Sequence, residues 1–236
     1  MKRFFVELAL GKDFELTDAE HNHLANVLRV KTGEHVTVCC GDAFDYRYEV
    51  TKITKNASSM RFIERKENFS NPKVWVSVFL AKIKFDNLAL AVTKLNEIGA
   101  SEVVIFNAAN CNVALKSVNV EKLNIIAQQS CKQCGRSIPL KVRITTDEPD
   151  VALRGFDTVF FADELRENEL ALLSVQEISA TDKNAVIIGP EGGFTLNERN
   201  KLLRVAKPVS LGRRILRAET AAIVSAAILL SKMGEL

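Results

Sequence analysis

Residues 188–194 have the sequence Ile-Gly-Pro-Glu-Gly-Gly-Phe and follow the apolar run Asn184–Ile188, which is typical of a buried β-strand. Thr195 and Glu198 come next, at the spacing of a capping box, which predicts the start of a helix. Strand, glycine-rich loop and helix are therefore expected in direct succession. Because glycines let a backbone approach a ligand closely, this loop is the first candidate for a binding site, and a tight turn without a ligand is the alternative.

The loop differs from the two best-known glycine-rich nucleotide motifs. It lacks the Gly-Lys-Ser/Thr ending of a phosphate-binding P-loop, and its glycines do not follow the Gly-x-Gly-x-x-Gly spacing. These differences argue against a nucleoside triphosphate or a dinucleotide as the ligand.

A second segment, Leu211-Gly-Arg-Arg-Ile-Leu-Arg-Ala-Glu-Thr-Ala221, follows a short apolar strand. Its three arginines, at 213, 214 and 217, precede a helix expected at Thr220–Met233. Cations are unfavourable at a helix N-terminus, so we expect these arginines to serve a phosphate or carboxylate ligand. A surface arginine cluster is the alternative. The helix is apolar nearly all round, which is typical of burial in the core or against a second subunit.

Strands and helices alternate between Pro72 and the glycine-rich loop. The periodicity predicts strands at 74–80, 102–106, 157–162 and 184–188, and helices at 86–98 and 120–134. Such alternation is typical of an α/β fold with a parallel sheet covered on both faces. Trp75 is expected in the core of this sheet.

The first 72 residues have a different predicted secondary structure, with mostly short β-strands. Strands at 34–40 and 46–53 and one helix at 17–30 indicate a small β-barrel. The polar segment Asn68–Pro72 predicts a boundary, so we expect domains at 1–72 and 73–236. The barrel has no net charge, whereas residues 73–143 carry 10 Lys and Arg against 4 Asp and Glu, which is either a solvated helical face or a surface for phosphates.

Composition narrows the class of protein. The chain has 236 residues, 47% of them hydrophobic, and no apolar run long enough to cross a membrane. Five cysteines at irregular spacing do not resemble a disulfide framework. We therefore expect a soluble, reduced, cytoplasmic protein without a signal peptide. The pair Cys131 and Cys134 has metal-ligand spacing, but without a second pair it favours packing over zinc.

The two C-terminal motifs together resemble the signature loops of the bacterial 16S rRNA (uracil-N3) methyltransferases, a family of the SPOUT class. The segments His23–Arg29 with Gly33-Glu34, Lys94–Gly99 and Gln133–Arg136 also resemble this family. The resemblance implies a SPOUT-type parallel sheet with a C-terminal trefoil knot, preceded by a PUA-like RNA-binding barrel. It also implies S-adenosylmethionine as cofactor, 16S rRNA of the small ribosomal subunit as substrate, and a homodimer without metal or membrane.

The resemblance also implies roles for particular residues. S-adenosylmethionine is expected among the loop after Asp163, the Gly189–Phe194 loop and the Leu211–Ala221 loop. The implied cofactor-binding residues are Ala162, Asp163, Ile188, Gly189, Glu191, Gly193, Leu211, Gly212, Ile215, Leu216, Arg217, Thr220 and Ala221. For catalysis, Arg217 is expected to stabilise charge on the uracil oxygens, Glu219 to orient that arginine or act as base, and Arg136 to hold an RNA phosphate or close the site. The implied RNA-binding residues are Arg3, His23, Arg29, Lys31, Arg213 and Arg214.

The chain departs from the family pattern at Ala109-Asn110, where a Glu-Arg pair is expected, and at Lys132, where an acidic residue is expected. Both positions lie outside the expected cofactor loops in the sequence, so they question the substrate or the efficiency of catalysis rather than the cofactor. Two other functions stay open. One is a SPOUT enzyme acting on another rRNA or tRNA position, and the other is a ribosome-assembly protein that binds RNA without catalysis.

Overall fold

The structure, a computed structural model, describes residues 2–7, 10–112, 115–163, 170–175 and 178–236. The chain divides into two compact units. The first comprises residues 1–71 with 131–139, and the second comprises residues 72–130 with 140–236. The helix that contains residues 120–134 therefore contributes its last four residues to the first unit.

The first unit is built on a five-stranded sheet in the order β1-β3-β4-β5-β2. Its strands are β1 (Arg3–Phe5), β2 (Phe14–Thr17), β3 (His35–Cys39), β4 (Phe44–Ile53) and β5 (Ala57–Glu67). Only the pairing of β1 with β3 is parallel. Alternate apolar side chains of these strands, among them Val36, Val38, Tyr46 and Tyr48, point into one core.

One helical segment covers this core. Helix α1 (Asp18–Asn22) continues into a π-helical turn at His23–Val27, close to the predicted helix at 17–30. Leu24 on this segment is fully buried in the core. The predicted strands correspond to β3 and β4, whereas β1, β2 and β5 were not assigned individually from the sequence.

The second unit is built on a seven-stranded sheet in the order β10-β12-β9-β11-β6-β7-β8. Its strands are β6 (Trp75–Ala81), β7 (Glu102–Phe106), β8 (Lys141–Ile144), β9 (Thr158–Ala162), β10 (Leu170–Ala171), β11 (Lys183–Ile188) and β12 (Lys207–Ser210). All the pairings between these strands are parallel. Its helices are α2 (Phe85–Ile98), α3 (Val120–Cys134), α4 (Pro149–Ala152), α5 (Leu196–Leu202) and α6 (Ala218–Lys232).

Helices cover both faces of this sheet. Val78 and Leu80 of β6 belong to a core with side chains of α2, α3 and α6. Their neighbours Phe79 and Ala81 belong to a second core, which includes Leu202 of α5. Because successive strand residues point to opposite faces, the two cores lie on the two sides of the sheet. The predicted α/β class with a covered parallel sheet is confirmed.

Trp75 was expected in the core, and this prediction is wrong. The side chain is 42% exposed, and its indole nitrogen donates to the Ser77 hydroxyl at 2.8 Å. The physical reason is position, since Trp75 is the first residue of β6 and pairs in register with exposed Lys183 at the end of the ladder.

Candidate active site

A cavity of about 280 Å³ lies within the second unit, beyond the carboxyl ends of adjacent strands β9, β11 and β12. The strand ends are level, because Ala162 pairs in register with both Ile188 and Val209. The two glycine-bearing segments of the sequence therefore meet at one edge of the sheet. The cavity is lined by Ala162, Asp163, Ile188, Gly189, Pro190, Glu191, Gly193, Phe194, Ser210, Leu211, Gly212, Arg214, Ile215, Leu216, Arg217, Ala218 and Ala221.

The first wall is the loop after β11, and glycine is needed there for space. A Cβ atom at Gly189 would lie 2.9 Å from Cε2 of Phe194, which is closer than carbon atoms pack. The Phe194 ring is in turn held parallel to Phe106, with centroids 6.3 Å apart, and edge-on to Phe161 at 5.3 Å. The loop is thus folded tightly over its own aromatic side chain.

Asn110 holds the same loop from the other side. Its amide nitrogen donates to the carbonyl oxygens of Gly192 at 3.0 Å and Gly193 at 3.1 Å. A Cβ at Gly192 would lie 3.0 Å from the Cβ of Asn110. Asn110 lies outside the glycine-rich loop in the sequence but contacts it in the fold. No local pattern predicts this contact, because the residues are 82 and 83 positions apart in the chain.

The predicted capping box at the start of α5 is confirmed. Thr195 accepts a hydrogen bond from the backbone of Glu198, and the Glu198 carboxylate accepts from the Thr195 backbone at 2.8 Å. The other carboxylate oxygen of Glu198 accepts from the Ala109 backbone N–H at 2.8 Å. One glutamate therefore caps the helix and fixes the segment that contains Asn110.

The second wall is the segment between β12 and α6. Gly212 has a φ of +110°, a left-handed conformation that favours glycine, and its N–H donates to the Ser210 hydroxyl at 3.2 Å. Ile215 is 77% exposed although it lines the cavity. An exposed apolar side chain at a cavity can contact the apolar surface of a ligand.

Arg214 and Arg217 also line this wall, and both are exposed. Arg217 is the N-cap residue of α6. Within the part of the chain that the structure describes, neither arginine makes an ion pair. Their positive charge is therefore available to a ligand in the cavity.

The third wall contains Ala162 and Asp163 at the end of β9. The Asp163 carboxylate accepts from Nε of Arg199 on α5, and its backbone N–H donates to Val209 at 3.2 Å. These contacts link the ends of β9 and β12 to α5. The expected loop after Asp163 continues into residues 164–169, which lie outside the described residues.

The structure brings together nearly all the residues predicted for the cofactor. Thr220 is the exception, because it is exposed and does not line the cavity. Arg213 is exposed outside the lining. Glu219 is only 5% exposed and also does not line the cavity, and its Oε2 has no hydrogen-bond partner among the described residues. That these residues bind a cofactor or act in catalysis stays a prediction.

The predicted RNA-binding residues of the first unit fall into two groups. Arg29 and Lys31 are exposed, and His23 is half-buried with its ring edge-on to Phe4. Arg3 is instead 6% exposed, and its guanidinium makes a bidentate ion pair with Asp45. This pair gives Arg3 a structural role in the first unit, and a contact between Arg3 and RNA stays a prediction.

Arg136 belongs to the first unit and is also buried. Its Nε donates to the Ile138 carbonyl at 3.1 Å. Lys132, the other departure from the family pattern, forms an ion pair with Glu20 in the same unit at 2.6 Å. The positive charge of Lys132 is therefore neutralised by the Glu20 carboxylate.

Two further findings concern the described residues alone. The described residues contain no group of three or more His, Cys, Asp or Glu side chains arranged to hold a metal ion. None of their helices is long and apolar enough to cross a membrane.

A cavity built from loops at the carboxyl ends of parallel strands is the usual ligand site of open α/β folds. Fold and site together thus define an α/β protein with a site for a small molecule. Family models are more particular, since an RNA methyltransferase domain matches residues 70–230 and an RNA methyltransferase PUA domain matches residues 16–61. The chain belongs to this RNA methyltransferase family.

Individual relatives agree with the family. The chain is 29% identical over 225 residues to a ribosomal RNA small subunit methyltransferase E from Rickettsia conorii, covering 93% of this chain and 90% of that protein. It is 28% identical over 239 residues to the protein of the same name from Bacillus subtilis, covering 94% and 93%. The fold is shared with a crystal structure of a ribosomal RNA small subunit methyltransferase E from Neisseria gonorrhoeae bound to S-adenosyl methionine, with a TM-score of 0.87, 24% identity and coverage of 98% and 97%.

These findings confirm the predicted resemblance to an rRNA methyltransferase family and the assignment as an enzyme. The PUA match supports the predicted N-terminal barrel. The trefoil knot and the domain limits at 1–72 and 73–236 stay predictions.

Proposed function

We propose that this protein transfers a methyl group from S-adenosylmethionine to N3 of a uridine in 16S rRNA of the small ribosomal subunit. The observation that carries the proposal is the convergence of the two C-terminal motifs on one cavity, which has exposed arginines at its edge. The names of the relatives from Rickettsia conorii and Bacillus subtilis support the small-subunit rRNA as substrate.

The residues around the cavity suit S-adenosylmethionine. Gly189 lets the loop pack directly against the Phe194 ring, and Leu211, Ile215 and Leu216 offer apolar walls for an adenine. The exposed carboxylate of Glu191 lines the cavity and is available to the ammonium group of the cofactor's amino acid part. When bound, the cofactor supplies a methyl group activated by a sulfonium.

The protein's own contribution begins with placement of the uracil. Holding two reactants in line lowers a barrier by roughly 7–11 kcal/mol. The uracil N3 proton must also leave, and negative charge then develops on the ring oxygens. We propose that the guanidinium of Arg217 stabilises this charge, because it lies at the cavity edge without a carboxylate partner among the described residues. We also propose that Glu219 orients Arg217 or acts as the base. Arg136 is proposed to hold an RNA phosphate or to close the site.

The RNA has to present an unpaired base, because Watson–Crick pairing covers N3 of uracil. A single-stranded or flipped uridine is therefore the expected form of the substrate. Arg213 and Arg214 in the second unit, and His23, Arg29 and Lys31 in the first, are proposed to contact RNA phosphates or bases.

A homodimer is also proposed. Val224 and Ala227 on α6 are apolar and half-buried, and neither belongs to the core of the second unit, so a second copy would cover them. The trefoil knot is proposed from the family resemblance. A cytoplasmic location is proposed because ribosomal RNA is the expected substrate.

Two measurements test the function. Isothermal calorimetry with S-adenosylmethionine should detect binding to the purified chain, and its absence would favour an RNA-binding assembly protein. Methylated nucleotides should then be mapped in small-subunit RNA from a strain lacking the gene. N3-methyluridine should disappear there and return with the wild-type gene but not with Arg217→Ala. If N3-methyluridine persists while another methylated nucleotide is lost, the enzyme acts on a different RNA position.

A further inference from the structure

Two cysteines on the last turn of α3 form a thiol pair that the proposed function does not use. Cys131 and Cys134 are three residues apart, and Cys134 is the last residue of the helix. Their side chains are joined by a hydrogen bond between the sulfur atoms. Both belong to the first unit, so the pair can be described within that unit alone.

The two thiols have different surroundings. Cys131 is fully buried in a small cluster with Phe5 and Cys39, whereas Cys134 is half-buried. The hydrogen bond from Cys131 and the positive charge of Arg136 lower the pKa of Cys134 to about 6 despite its burial. Cys134 is therefore largely a thiolate at neutral pH, and a partly accessible thiolate is the form that reacts with oxidants.

Cys39 provides an internal contrast. Burial raises the pKa of its thiol to about 12 although Arg3 lies nearby, with Nη1 2.9 Å from the sulfur. This thiol stays protonated and is expected to be inert. Of these three cysteines, Cys134 is therefore the one expected to react with oxidants.

The backbone around the pair permits a bond between the two sulfurs. Helical residues three apart have Cβ atoms about 5–6 Å apart, whereas a disulfide needs about 3.5–4.5 Å. The last turn must therefore tighten by roughly 1–2 Å. Gly135 follows at a φ of +92° and ends the helix, so only this terminal turn has to adjust.

A metal site is a weaker account of the same residues. Structural zinc requires four ligands, and the described residues contain no cluster of three or more His, Cys, Asp or Glu side chains. The charge of Arg136 beside Cys134 also opposes a cation.

We propose that Cys131 and Cys134 form a peroxide-oxidisable dithiol, with Cys134 as the attacking thiolate and Cys131 as the resolving thiol. In the first step, the Cys134 thiolate attacks hydrogen peroxide, and with uptake of one proton it yields a sulfenic acid and water. In the second step, the Cys131 thiol displaces the hydroxyl of that sulfenic acid, which leaves as a second water and forms the disulfide. Peroxide is reduced and the two thiols are oxidised.

The test uses the full chain, purified reduced and freed of reductant. After exposure to hydrogen peroxide, free thiols are blocked with N-ethylmaleimide and the digest is examined by mass spectrometry. We expect one intramolecular disulfide between residues 131 and 134, reversed by dithiothreitol. Cysteines that stay reduced, or a disulfide that involves Cys39 or a second chain instead, would overturn the proposal.

Variants separate the two roles. Cys131→Ser should abolish the disulfide and leave a sulfenic acid on Cys134 that dimedone traps, whereas Cys134→Ser should abolish both products. Cys40→Ser is the matched control and should oxidise like the wild type. Dimedone labelling of Cys40 in place of Cys134 in the Cys131→Ser variant would contradict the assignment.

One readout needs no variant. The rate of iodoacetamide labelling at Cys134 should be half-maximal near pH 6 and level above about pH 7, since only the thiolate reacts. Burial raises the pKa of the Cys40 thiol, so its labelling should keep rising above about pH 8.5, the ordinary pKa of a thiol. A Cys134 profile that rises in parallel with that of Cys40 would overturn the proposal.

Discussion

Arg214 and Arg217 at the cavity of the second unit differ from Arg3 in the core of the first unit in whether a carboxylate pairs with them. In the second unit, Arg214 and Arg217 are exposed at a cavity and make no ion pair among the described residues. In the first unit, the guanidinium of Arg3 is buried, and Nη2 donates to the Asp45 carboxylate at 2.9 Å. The difference shows that an arginine is available to a ligand where no carboxylate of the protein pairs with it. Changes in each region should therefore affect different properties.

The largest effect is expected at the cavity. Arg217→Ala should lower kcat at least a hundredfold, equivalent to roughly 3 kcal/mol of transition-state stabilisation. Affinity for S-adenosylmethionine should stay within about tenfold, because the lost interaction forms mainly in the transition state. Single-turnover methylation of small-subunit RNA and calorimetry measure the two quantities.

Arg204→Ala is the matched control for this variant. Arg204 is exposed and does not line the cavity, so its removal should leave both quantities unchanged. Full activity in Arg217→Ala would remove this arginine from the mechanism.

The next largest effect is expected in the first unit, and on stability. Arg3→Met leaves the Asp45 carboxylate without its guanidinium, which should reduce the free energy of unfolding by roughly 3 kcal/mol. Urea denaturation measures the change. Lys2→Met, which breaks the more exposed pair with Glu34, should cost less than about 1 kcal/mol. Equal losses in the two variants would contradict the distinction between buried and exposed pairs.

The same ion pair predicts a dependence of stability on pH. Burial tends to raise the pKa of Asp45, but hydrogen bonds from Arg3 and Asn68 outweigh this, so the pKa lies below its usual value. A lowered pKa contributes stability above the unfolded value of about 3.9, and this stability is lost as pH falls through the folded value. Stability measured from pH 6 to pH 2 should therefore fall less steeply in Arg3→Met than in the wild type. Identical slopes would show that Asp45 does not sense Arg3.

A smaller effect is expected from the shape of the cavity wall. Gly189→Ala forces a Cβ against the Phe194 ring, and overpacking of this kind costs roughly 1–2 kcal/mol. Affinity for S-adenosylmethionine should fall about tenfold, because the Phe194 ring, which also lines the cavity, has to shift. Gly155→Ala is the control, because its Cβ would meet nothing within 4 Å although φ is +92°. It should lose stability through strain yet bind the cofactor normally, and equal binding losses would contradict the prediction.

The smallest effect is expected from the exposed cations of the first unit. The double variant Arg29→Ala with Lys31→Ala should weaken RNA binding severalfold without changing the urea midpoint. Each lost phosphate contact lowers the slope of log affinity against log salt by about 0.9. Filter binding at several salt concentrations measures this slope. Lys52→Ala, an exposed cation on β4, is the control, and an unchanged slope in the double variant would exclude Arg29 and Lys31 from the RNA surface.

The sequence alone determined the local features of the second unit. Apolar runs predicted its central strands, and the Thr195–Glu198 spacing predicted the capping box. The family resemblance of the glycine and arginine motifs implied a set of cofactor residues that, apart from Thr220, all line the cavity. The strands and the capping box follow from interactions between residues close in the chain, such as capping and side-chain periodicity, so a single sequence contains them.

Only the tertiary structure decided which residues these local features meet. Asn110 holds the glycine loop from 82 residues away, and Arg3 finds its carboxylate 42 residues along the chain. Trp75 became exposed because the sheet ladder ends beside it. Such partners depend on how strands and helices pack, and neither periodicity nor spacing along a chain encodes that packing directly.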